Sequence, residues 1–165
     1  INQMLEDVDL SDIDEIDDFL IEGHAFGQVM FQGNFNVGII FFIGVFISSP
    51  IAALYASVAV MISVSITHHG NLPDELIKNG TYSFNAVLCG IAMSGTRVRD
   101  GLYVVLSVVF ATIMDIQMIE RGWATLTFPF VFAMWAILPF KALEGYLLKI
   151  NYKGIAQKLV QHKKD

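Results

Sequence analysis

The sequence predicts an all-α, polytopic membrane protein with about five transmembrane helices plus a short re-entrant or pore helix. Three observations predict it. Hydrophobic residues make up 55% of the 165-residue chain and charged residues only 16%, and the mean hydropathy is +0.57, a balance outside that of ordinary soluble domains. The charges are also unevenly spread, with no Asp, Glu, Lys or Arg from Gly23 to Pro73, Asn79 to Thr96, Gly101 to Met114 or Gly122 to Phe140. A bilayer core of roughly 30 Å takes about 20 helical residues, so these runs are long enough to cross.

Taken in order, the first piece, near Phe19 to Phe31, reads as amphipathic or re-entrant. Helices are then expected at about Phe35 to Ser48, Pro50 to Thr67, Tyr82 to Ser94, Gly101 to Ile119 and Trp123 to Ile150. Pro50 follows Ser48 and Ser49, so a serine cap and a proline in the first turn begin a new helix there rather than kink an old one. Asn71, Pro73 and Gly80 mark one connection, Gly95 to Gly101 a second, and Arg121 with Gly122 a third. Phe35 to Ser48 and Tyr82 to Ser94 are short of the roughly 17 residues that a crossing needs. Interrupted helices are tolerated at depth only where neighbours or a cavity satisfy the backbone, so short segments point to a substrate path unless their true ends lie further out.

Three regions follow: an acidic linker or N-terminal segment over 1–18, a membrane domain over 19–150 and a basic tail over 151–165. Arg97 and Arg99 share one loop, and Lys149, Lys153, Lys158, Lys163 and Lys164 crowd the C-terminus, so both places are expected on the cytoplasmic side. The chain starts at Ile1 without the pattern of a signal peptide and reads as the back part of a longer protein.

Most polar features have plain structural readings. Asp12, Asp14 and Asp17 lack the spacing and glycine of a calcium loop. His68 and His69 are adjacent, which aims them apart on a helix and speaks against a shared metal; a loop just past a helix end suits them better. Cys89 reads as a small buried packing residue. With no nucleophile and base set, no metal set and no phosphate loop, neither an enzyme nor a cofactor is expected. The net charge of -6 argues against nucleic acid. Glycines at 33, 38, 44, 90, 95 and 101 are read as points of close helix approach. Polar residues inside apolar runs are costly in a bilayer unless they face protein or water. Gln28, Asn34, Asn85, Asp115, Gln117, Thr125 and Thr127 are the candidates. Asn85 reads as a helix cap or an interhelical hydrogen bond, and Asp115, about a turn from Glu120 and Arg121, as an interfacial residue.

Three blocks in order, "QVMFQGNFNVGIIFFIGVFISSP", "NGTYSFNAVLCGIAMSG" and "GWATLTFPF", resemble those of one repeat of the urea transporter family. The second is similar to its G-x-x-G-[FY]-N-x-x-L-x-G helix, with Ser83 in place of a glycine. The third is similar to its L-P-x-x-T-x-P-F signature, with Trp123 and Ala124 replacing Leu and Pro. The resemblance implies two inverted repeats around one pore, of which this chain holds one, with an upstream homologous half-repeat as partner and a homotrimer as the assembly. The orientation and acidic leader suit the second, C-terminal repeat, whereas Gln28 stands where second repeats often carry Glu; the assignment stays open.

For function, the resemblance implies passive, channel-like transport of urea across the cell (inner or plasma) membrane, with a selectivity filter contributed here by Gln28, Val29, Phe31, Phe84, Leu88 and Thr127. Urea is flat and uncharged, with one carbonyl and four N–H donors. Phe31 and Phe84 would wall a slot, and the Gln28 amide oxygen, the Thr127 hydroxyl and backbone carbonyls freed by Pro129 would accept the N–H groups in turn. A channel for another small polar solute, such as an amide or ammonia, and a non-transporting membrane scaffold subunit are the competing readings.

Overall fold

The computed structural model describes residues 10–30 and 32–162, with side chains described for 19–30 and 32–150. The described residues form α1 (Leu10–Val29), α2 (Phe35–Ser48), α3 (Pro50–His69), α4 (Asp74–Lys78), α5 (Phe84–Met93), α6 (Val98–Glu120) and α7 (Phe128–His162), with no strand among them. The all-α reading therefore holds. α3, α6 and α7 over Phe128–Ile150 are long and apolar enough to cross a membrane, while α2 and α5 are shorter apolar helices.

Local chemistry accounts for the boundaries. Asn34 Oδ1 accepts the Asn36 N–H at 2.9 Å and caps α2. Ser49, extended at φ −155, is the sole residue between α2 and α3; its Oγ accepts the Ala52 N–H at 3.3 Å, and Pro50 opens the next helix where no N–H is needed. The connection after α3 turns through Asn71 and Gly80, both at positive φ. Between them lies α4, which the apolar pattern did not indicate. Pro73 precedes it, Asp74 and Glu75 sit in its first turn, Lys78 sits in its last and Ile77 is buried, an arrangement that matches the helix dipole. His68 and His69 belong to the last turn of α3 rather than to a loop, and both are exposed.

α5 is the centre of the molecule. It packs against α1, α3, α6 and α7, and Phe84 to Val87, Cys89, Gly90 and Met93 are all buried. One apolar cluster joins Ala86, Cys89 and Met93 to α3, α6 and α7 through Ala59, Val104, Val108, Ala111 and Ala133. A second joins Val87 to α1, α3 and α4 through Ala25, Phe26, Ala56, Val60 and Ile77. The residues at these crossings are mostly small, which lets backbones approach where apolar surface alone gives no drive for helices to associate in lipid. Gly38 of α2 is an extreme case: a Cβ there would lie 1.7 Å from the Gly23 carbonyl oxygen. Gly44 departs from the close-approach reading, with nothing within 4 Å of the same probe position.

Polar contacts brace one end of the bundle. Lys141 of α7 bonds Asp100 of α6 at 2.9 Å and the Met93 carbonyl that ends α5 at 3.3 Å. Arg99 pairs with Glu144, whose second oxygen accepts the Tyr103 hydroxyl at 2.6 Å. α7 is otherwise lightly packed: 11% of its apolar window is buried, against 39% for α3 and for α6.

Candidate functional site

The three sequence blocks converge on the N-terminal end of α5. Gln28, near the end of α1, is half-buried, and its Nε2 donates to the Asn79 carbonyl at 3.2 Å, in the turn that leads into α5. Gly80 makes the close approach possible: it has φ +69, and a Cβ on it would meet Ala25 Cα at 2.5 Å. Val29 is half-buried against the second apolar cluster. Phe31 lies outside the described residues.

Phe84 is the first residue of α5 and is 6% exposed. Leu88, one turn on, is half-buried, and Ala92, a further turn on, is exposed. This i, i+4 stripe emerges gradually from the core, while most of α5 is packed. Phe84 belongs to the wall of the bundle, and Leu88 is the residue of the pair that reaches the surface.

Thr127 is half-buried and immediately precedes α7. The expectation that Pro129 frees carbonyls by interrupting a helix is corrected here. α7 begins at Phe128, so Pro129 occupies its first turn, where a missing N–H costs nothing. The Thr125 carbonyl accepts the Phe128 N–H at 3.1 Å and the Thr127 carbonyl accepts the Val131 N–H at 3.1 Å. The Leu126 carbonyl accepts Asn85 Nδ2 at 3.0 Å. The proline that does lie inside α7 is Pro139.

Asn85 and Asp115 complete the site. Asn85 is buried and its Nδ2 also donates to Asp115 Oδ1 at 2.9 Å, while its Oδ1 accepts the Phe130 N–H at 3.3 Å. The interhelical reading of Asn85 holds. Asp115 is fully buried rather than interfacial. Both residues stood out as polar groups in apolar runs; what no local signal reveals is that residues 30 and 41 positions apart meet here. Gln117, by contrast, is exposed and accepts from Arg121 Nη1 at 2.9 Å.

An all-helical bundle with three helices long and apolar enough to cross a membrane, centred on a short buried helix in the second block to which the first and third blocks are tied, defines a polytopic membrane protein. A family model for urea transporters matches residues 3–142, and the chain belongs to the urea transporter family. Its business is thus the carriage of urea across a membrane, and the family is one of transporters, not enzymes. No curated protein matches the chain.

Proposed function

We propose that the chain forms one half of a passive, channel-like path for urea, running beside the N-terminal end of α5. The observation that carries this reading is the tying of all three motif blocks to that end by the Gln28–Asn79 and Asn85–Leu126 hydrogen bonds. Phe84, Leu88 and Val29 supply apolar wall, with Phe31 as a further slot aromatic. Gln28 is held by its amide nitrogen, which turns its oxygen, the acceptor urea needs, away from Asn79. The Thr127 hydroxyl is a second acceptor, and a series of weak acceptors replaces hydration without trapping the solute.

The remaining wall comes, in this proposal, from an upstream homologous half-repeat, and the complete unit assembles as a homotrimer in the cell membrane with its C-terminus cytoplasmic. The regions 1–18, 19–150 and 151–165 keep their proposed roles as acidic leader, membrane domain and basic tail.

Proteoliposomes carrying the intact protein test the reading. Urea flux well above that of empty vesicles is expected, and Thr127→Val is expected to lower permeability or discrimination while assembly persists. Flux equal to that of empty vesicles would reject urea permeation. Greater flux of ammonia or amides would favour the other-solute channel, and no flux of any of them a scaffold subunit.

A further inference from the structure

Consecutive residues of a helix project about 100° apart, so Asn85 points away from Phe84 and into the bundle. Its carboxamide makes three hydrogen bonds to two other elements: to Asp115 on α6, and to the Leu126 carbonyl and Phe130 N–H on either side of Thr127. Both amide hydrogens are used. The two backbone partners dictate the amide's orientation, because a reversed amide would set its oxygen against the Leu126 carbonyl and its nitrogen against the Phe130 N–H.

The segment held in this way needs holding. Leu126 has φ +42, a left-handed conformation that a leucine rarely adopts. Its side chain is 60% exposed, so packing does little to maintain the backbone there. The Asn85 bond to its carbonyl acts directly on that peptide, and the bond to Phe130 fixes the first turn of α7, in which Pro129 has no N–H of its own to offer.

We propose that Asn85, anchored by Asp115, is a positioning residue for permeation: it clamps Leu126 and Phe130 and so fixes the Thr127 hydroxyl relative to the Phe84–Leu88 stripe. This rests on the reading of Thr127 as an acceptor for the solute. Asn85 does not itself meet the solute.

The test compares Asn85→Ala with the exchange variant Asn85→Asp/Asp115→Asn in the intact protein. In the exchange, the amide now on α6 donates to the carboxyl group now on α5, and that carboxyl still accepts from Phe130. Leu126, however, faces a carboxyl oxygen in place of the amide donor. Thermal stability in detergent and urea permeability in liposomes are read together. Asn85→Ala is expected to lose both, with permeability down about tenfold, the scale of one hydrogen bond lost between a misplaced Thr127 hydroxyl and the solute. The exchange is expected to regain part of the stability, through the restored α5–α6 bond, but not permeability or urea-over-water selectivity. In a Thr127→Val background, Asn85→Ala is expected to remove no further selectivity, since there is no hydroxyl left to misplace. Recovery of permeability together with stability in the exchange overturns the proposal and leaves Asn85 a packing residue. Wild-type selectivity in Thr127→Val, with a defect in Asn85→Ala, overturns instead the acceptor reading beneath it.

Discussion

Thr112 and Asp115 stand three residues apart on α6 and therefore share a face. Both are fully buried, and Thr112 Oγ1 and Asp115 Oδ2 have no hydrogen-bond partner among the described residues. Leaving a buried hydroxyl unpaired costs roughly 1–3 kcal/mol, whereas an apolar group of the same shape avoids that penalty. Thr112→Val is accordingly expected to match or exceed the wild-type thermal stability in detergent, and a clear loss would show that the hydroxyl has a partner. Neighbouring polar groups behave differently: Ser63 Oγ donates to the Tyr82 carbonyl at 2.9 Å and accepts from Ser83 Oγ at 3.3 Å. At this scale the sequence makes polar candidates visible through their apolar surroundings. It does not separate a residue such as Thr112 from one such as Asn85, because the difference lies in partners on other helices.

Helix ends were far more legible, since caps act within a few residues. Ser49 and Pro50 are read directly from the chain and are found in those roles, whereas Asn34, singled out only as a polar residue in an apolar run, caps α2. α4 escaped because a five-residue helix holds too few apolar positions to show a period. The short lengths of α2 and α5 persist in the fold, so they are not errors of boundary placement. Small residues were recognised as a class, but only the packing distinguishes them. At Gly38 a methyl group would meet the backbone of α1, which cannot swing aside as a side chain can. Gly38→Ala is expected to destabilise the bundle by about 2 kcal/mol or more, judged from overpacked cores. Gly44→Ala, with open space around it, is expected to be neutral or to gain up to about 1 kcal/mol from helix propensity. Thermal unfolding of the two variants side by side checks both.

For the molecule as a whole, helix directions give the charge pattern a geometry. Gly101 near the start of α6 lies against Tyr55 near the start of α3, so these helices run the same way and Asn71, after α3, lies toward the opposite end from Arg97. α7 returns to the Arg97 end, where Lys141, Glu144 and Lys149 line a recess of about 890 Å³ with Arg97, Arg99 and Asp100. Arg97 and Arg99 of the first basic group and Lys149 of the second thus reach one end of the bundle. If that end is cytoplasmic, a membrane-impermeant thiol reagent is expected to label Thr96→Cys from the cytoplasmic side and Asn71→Cys from the other. The native Cys89 is fully buried and should contribute little background. Labelling of both from one side would overturn the orientation.

Composition, charge-free runs and capping residues determined the membrane class, the helical architecture and most helix ends, because each depends on burial in lipid or on hydrogen bonds within a turn. The tertiary structure alone decided that α5 is the packed centre, that Pro129 starts a helix rather than breaking one, and that Asn85 ties Asp115 to the backbone beside Thr127. Those facts depend on which helix faces meet, and that is set by small residues fitting together across helices far apart in the chain.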